Sequence, residues 1–259
     1  MRSKRLATGV AAATLALIPL TAAAAQETVG AEIVVVHGVP GLEVDVLVDG
    51  TAAITGFEFG EVVKTTLPAG DYTFAVAATG TTTPILSVDA TLGAGLSATI
   101  AAHLDADGTP QLRAFVNENG ASGIQPFHLA DFGPVDVLAG TATVLGPVFN
   151  GQTARIDVPG GTTVADVGIG AAPAGGVAAL ALGDVTVRRN ELVLVYAIGP
   201  NTGATLPTVV TSSTNVGGVS VIPSGEGPAT TSLPLLALAA AAVGGLLLVA
   251  ARRPARELA

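Results

Sequence analysis

Laid on itself, the chain repeats. Val36-His37 recurs as Phe127-His128, Val44-Asp45-Val46-Leu47 as Val135-Asp136-Val137-Leu138, and Leu67-Pro68-Ala69-Gly70 as Val158-Pro159-Gly160-Gly161, all displaced by 91 residues. Farther on, Ile100-Ala101-Ala102 falls opposite Val195-Tyr196-Ala197 and Gly108 opposite Gly203, a displacement of 95, so the second copy has gained about four residues. The Gly-rich stretch 168–176 is the natural place for them. A period near 90 is too long for a solenoid repeat and suits a small domain duplicated in tandem. Whatever fold the first copy adopts, the second must be able to adopt as well.

Within each copy the hydrophobic period is two. Val44, Val46 and Val48 alternate with Asp45, Leu47 and Asp49, and Tyr72, Phe74 and Val76 alternate with Thr73, Ala75 and Ala77, the pattern of half-buried strands. Further strands are expected over 32–37, 62–67, 85–91, 96–102 and 111–116. Asp49-Gly50 suits a type I′ hairpin turn, whose two positive φ values cost Asp and Gly least, and Pro68-Ala69-Gly70 suits another turn. The run 178–182 is short enough to be a strand, and no amphipathic helix stands out between the two apolar ends of the chain. Seven or so short strands with regular turns predict an all-β fold of two tandem Ig-like or transthyretin-like β-sandwich domains, at 26–119 and 120–215. The junction falls at the turn-rich 117–122, and the first copy is expected to fold alone.

The two ends address the chain to a membrane. Residues 233–251 hold no charged side chain and are followed by Arg252, Arg253 and Arg256. A helix of that length spans about 28 Å, close to the roughly 30 Å of a bilayer's hydrocarbon layer. The basic flank leaves the tail 252–259 cytoplasmic and everything before the span outside, a single-pass type I topology. At the other end, Arg2, Lys4 and Arg5 precede an apolar core at 10–20 and the small residues Ala23, Ala24 and Ala25, so 1–25 reads as a signal peptide. The Gly, Pro, Ser and Thr of 216–232 read as a flexible linker between the sandwiches and the membrane helix. Leu233-Pro234-Leu235-Leu236-Ala237 departs from the Leu-Pro-x-Thr-Gly sorting signal, so retention as a membrane protein is expected.

Charge and composition exclude several functions. Residues 26–232 carry five basic side chains against 19 acids, a net charge of −14 that repels phosphate backbones and argues against nucleic acid as a partner. With no cysteine there can be no disulfide, thiolate metal site or cysteine nucleophile. No Trp and only two Tyr leave few aromatic faces for stacking on a sugar.

The segment Val34-Val35-Val36-His37, with Val44-Asp45-Val46-Leu47-Val48-Asp49-Gly50, Phe59-Gly60 and Leu67-Pro68-Ala69-Gly70-Asp71-Tyr72-Thr73, resembles a bacterial surface-domain family of unknown function, DUF4397. Gly38 and Val39 replace the small polar step that usually follows the histidine. The resemblance covers 31–117 well and the second copy only at His128, Val135-Asp136-Val137 and Pro159-Gly160-Gly161. It implies a secreted or anchored, β-rich envelope protein and no activity.

His37 and His128 stand at the same place in both copies, with Asp45 and Asp136 eight residues later. A His-Asp pair can move protons or bind metal. The alternative is a histidine hydrogen-bonded at a strand end to fix the turn, and this is the expected role. Asp105-Ala106-Asp107-Gly108 resembles the start of a calcium loop but lacks the later glutamate, so a plain turn is expected. Gly168-Ile169-Gly170 has two of three dinucleotide-fingerprint glycines without a following helix and is expected to be a loop. No residue is assigned as catalytic, cofactor-binding or metal-ligating. The expected function is that of a non-enzymatic, membrane-anchored surface protein that binds or adheres through its sandwiches, with a surface protein or glycan as ligand. A passive spacer is the alternative, and an enzyme or metal protein using His37 and His128 stands behind both.

Overall fold

The structure, a computed structural model, describes residues 29–201, 207–216 and 232–234. Every regular element among the described residues is a strand. The first copy supplies β1 (Ala31–His37), β2 (Val44–Val48), β3 (Thr51–Phe57), β4 (Val62–Leu67), β5 (Gly70–Ala78), β6 (Pro84–Leu92), β7 (Ser97–Leu104) and β8 (Pro110–Val116). They form two four-stranded sheets, β4-β1-β7-β8 and β3-β2-β5-β6. β1 runs parallel to β7, and the other neighbours are antiparallel. Ile33, Val35 and Ile100 from one sheet meet Val46, Phe57, Phe74 and Val76 from the other in one apolar core, which makes the pair a sandwich. Asp49 and Gly50 have φ of 49° and 77° between paired Val48 and Thr51, the positive values a type I′ turn demands. The sequence pattern does not reveal β3, whose Ala52, Ala53 and Gly56 present no apolar alternation and whose outer residues are exposed.

The second copy repeats this topology with β9 (Gly123–Asp131), β10 (Val135–Ala139), β11 (Ala142–Val148), β12 (Gln152–Thr153), β13 (Arg155–Asp157), β14 (Thr162–Ala171), β15 (Leu180–Val187), β16 (Glu191–Pro200) and β17 (Thr208–Asn215). Its sheets are β11-β10-β14-β15 and β17-β16-β9-β13, with β12 also on β9, so β12 and β13 together stand where β4 stood. His37 pairs with Ala102 and His128 with Ala197, which reproduces both displacements, 91 and 95. The extra residues are not gathered at 168–176. Phe74 opposes Val48 as Val167 opposes Ala139, a displacement already of 93, so two of them lie upstream, between Gly161 and Val167, one of them in the bulge of β14 between Val164 and Val167. A short strand, β18 (Ser232–Pro234), runs parallel to β13, so the first two residues of the expected membrane helix are extended. The signal peptide, most of the linker and residues 235–251 of the expected span lie outside the described residues. No described helix is long and apolar enough to cross a membrane.

The two sandwiches share a third core. Successive residues of a strand face opposite sides, so while Ile33 and Val35 point into the first sandwich, Val34 and Val36 point out of it. There, with Ala101 and Phe115, they meet Phe127, Leu129, Leu192, Leu194, Tyr196 and Ile198 of the second. Phe127 packs on Tyr196 at 4.7 Å between ring centroids and edge-on to Phe115 at 5.7 Å. β1, β7, β9 and β16 are consequently buried on both faces, and the molecule is four sheets deep.

A polar chain crosses the same layer. Tyr196 donates its hydroxyl to Thr99 Oγ1 at 2.9 Å, because the Thr99 proton is given to Asn117 Oδ1 at 2.7 Å. Asn117 Nδ2 donates to Ser97 Oγ, which donates to Thr214 Oγ1. Burial pushes the Tyr196 phenol well above its ordinary range, so it remains a donor at any physiological pH. The connector is held as well: Gln125 accepts from Glu118 N and donates to Val116 O, and Arg155 donates to the carbonyls of Glu118 and Ala121.

Candidate functional site

His37 closes β1, and its ring is buried against Phe57, 5.7 Å away and nearly parallel. Its Nε2 lies 2.8 Å from Leu42 O; a carbonyl only accepts, so Nε2 carries the proton. Nδ1 then accepts from Val39 N at 3.4 Å. Both nitrogens serve the turn between β1 and β2, leaving no lone pair for a metal or a substrate proton. His128 repeats the first bond, donating from Nε2 to Gly133 O at 2.9 Å, but its Nδ1 has no hydrogen-bond partner among the described residues. Burial lowers both imidazoles below the ordinary value, with the turn carbonyls partly opposing it.

The aspartates do not pair with these rings. Asp45 accepts from Gly56 N and Gly80 N, both at 2.9 Å, tying β2 to the end of β3 and to the β5–β6 turn. Asp136 accepts from Ala174 N at 2.9 Å, the corresponding bond of the second copy. Each buried carboxylate satisfies main-chain donors that the bends strand. A His-Asp proton relay is therefore not assembled.

Asp105 is an Asx turn between β7 and β8, accepting at Oδ1 from Asp107 N at 3.0 Å and Thr109 N at 2.8 Å. The Thr109 amide leads in holding its carboxyl below the usual range. Among the described residues no three His, Asp or Glu gather as a metal cluster. Gly168-Ile169-Gly170 is not a loop but part of β14. A Cβ at Gly168 would lie 2.6 Å from Ala178 Cβ, and one at Gly170 would strike Val177 O, so these glycines admit the β14–β15 connection against the strand.

One group of residues went unnoticed in the sequence because it exists only between the copies. A groove of about 570 Å³ is lined by His103, Asp105, Asp107, Gln111 and Arg113 on one side, and by Phe132, Gly133, Pro134, Phe149 and Asn150 on the other. Arg113 donates to Gly151 O at 3.0 Å, its guanidinium 5.4 Å from the Phe115 ring centroid. Asn150 Nδ2 bridges the copies through Leu104 O and Ala130 O. Phe149, half exposed, is among the large apolar side chains left in solvent. His103 donates from Nδ1 to Leu104 O, and its buried Nε2 is without a partner among the described residues.

Four stacked sheets built from a duplicated eight-strand plan, with histidine turns at matching strand ends, define the class as an all-β tandem sandwich protein. Residues 31–138 match the family model described as "Domain of unknown function (DUF4397)", the family that the motifs of the first copy resemble. The match takes in the whole first copy and runs into β10. No curated protein matches the chain.

Proposed function

We propose that the chain is a non-enzymatic, single-pass type I membrane protein of the bacterial cell envelope. Its two Ig-like or transthyretin-like sandwiches, 26–119 and 120–215, would be presented outside the cell for binding or adhesion. The groove between the copies carries the binding reading: Asp107, Gln111, Arg113 and half-exposed Phe149 offer polar and apolar contacts at one mouth, as loops on a rigid scaffold do in binding proteins. The facing sheets, one of which in each sandwich sets its first strand parallel to a late one (β1 to β7, β9 to β16), support the finer fold assignment. Anchoring rests on the uncharged run 233–251 and its flanking Arg252 and Arg253. The non-enzymatic reading rests on the complete use of His37 and Asp45 by main-chain groups. A passive spacer is the second reading, favoured by the shared core that stiffens the pair.

Protease added to intact cells is expected to remove the region before Ser232 and to leave the tail 252–259 protected. Recovery of the ectodomain in the cytoplasm refutes the topology. Binding is separated from spacing by the groove variant Asp107→Lys with Phe149→Asp. Loss of cell adhesion at unchanged surface level supports a binding surface, and adhesion equal to that of cells lacking the protein, before and after the change, supports the spacer.

A further inference from the structure

The second sandwich contains a cavity of about 120 Å³ beside His128, walled by Phe132, Val135, Ile169, Leu180 and Ala197. Strand pairing matches the surroundings of His128 to those of His37, which are differently filled. Phe57, opposite Val44, stacks on His37, whereas its counterpart opposite Val135 is Val148. Val39, which packs on the first core and donates its amide to His37 Nδ1, is replaced by Ala130, held in β9. The exchange of Phe for Val and Val for Ala withdraws a ring and two methyl groups from the neighbourhood of the histidine. It also leaves His128 Nδ1 as a buried acceptor with nothing to accept among the described residues, on a ring 1 % exposed.

We propose that this cavity binds a small, mainly apolar molecule bearing one hydroxyl donor, of the phenol or short-alkanol class, which gives its O–H to His128 Nδ1. The donor direction follows from the tautomer: Nε2 carries the proton for Gly133 O, so Nδ1 presents a lone pair. A water molecule fits the site poorly, since a buried water typically makes about three hydrogen bonds and the lining offers two polar side chains, His128 and the exposed Asn201. Dry apolar cavities of about 150 Å³ take up benzene, whose ring is the same size as that of phenol. A carboxylate is disfavoured, because pairing with it would require an imidazolium that burial opposes. The inference is independent of the membrane anchor and of any partner in the groove, although Phe132 stands between the two sites.

The chain has three histidines, so ¹⁵N-histidine labelling of the full chain in detergent micelles resolves every ring nitrogen by long-range ¹H–¹⁵N correlation. Phenol should shift His128 Nδ1 saturably towards a hydrogen-bonded acceptor and leave His37 unmoved, its Nδ1 being engaged already. Benzene should compete with phenol without producing that shift. Restoring the first copy's residues, Val148→Phe with Ala130→Val, should abolish the phenol response while the His37 resonances stay in place. Failure to saturate, an unchanged response in the filled variant, or a His128 Nδ1 already hydrogen-bonded without phenol and insensitive to it would each overturn the proposal. None of these outcomes bears on the protease result, so the two readings fail separately.

Discussion

Phe127→Ala tests whether the duplicated sandwiches unfold as one body. Phe127 belongs to the second copy but is 1 % exposed in the layer between the copies, against Phe115 of the first and Tyr196 of the second. Truncating so buried a ring costs about 3–5 kcal/mol, the transfer of the ring plus the cavity left behind. With a urea dependence of roughly 2–3 kcal/mol per molar for a body of this size, the midpoint should fall by about 1–2.5 M. The chain lacks Trp and has two Tyr. Tyr196→Phe leaves Tyr72, on β5 of the first sandwich, as the sole fluorophore. That background change removes the bond to Thr99 while Thr99 keeps Asn117, and should cost about 1 kcal/mol. In the Tyr196→Phe chain, Phe127→Ala should move the Tyr72 transition and the far-ultraviolet dichroism transition together. A Tyr72 transition that stays put while dichroism becomes biphasic refutes the coupling and leaves the first sandwich self-sufficient.

Replacing His37 with Ala orphans the Leu42 carbonyl and the Val39 amide and should cost roughly 1–3 kcal/mol, with no bound metal lost; a rise in melting temperature with Zn²⁺ or Ca²⁺ that vanishes in His37→Ala or His128→Ala would show ligation instead. Acid should destabilise the protein. Burial leads in holding His37, His103 and His128 below their ordinary 6.5, so as the pH falls below that value the unfolded chain takes up protons the folded chain refuses. Stability is complete above about pH 6.5 and declines below it, by at most roughly 1.4 kcal/mol per pH unit for each histidine. A melting temperature unchanged between pH 8 and pH 5 contradicts this.

Period-two alternation, an Asp-Gly dipeptide and a recurring displacement were enough to place most strands of both sandwiches, because each is local: side-chain direction follows the strand pleat, and positive φ selects its residues. The histidine turns were legible for the same reason, their partners lying five residues along the chain. β3 escaped because an edge strand with exposed Ala52 and Ala53 needs no apolar alternation. Gly168 and Gly170 misled because their smallness answers to a neighbouring segment rather than to their own turn. The runs Val34-Val35-Val36 and Leu192-Val193-Leu194-Val195-Tyr196 did carry a trace of the third core, since strands buried on both faces read as unbroken apolar stretches. Which surface would cover the second face was beyond the sequence. Tertiary structure alone joined Thr99 to Tyr196, brought Arg113 to Gly151 and left His128 facing space that Phe57 fills beside His37. Those contacts link residues tens of positions apart: the first two depend on how two finished sandwiches pack and the last on which side chains meet inside each one, choices made by shape and burial over whole faces rather than by any local run of residues.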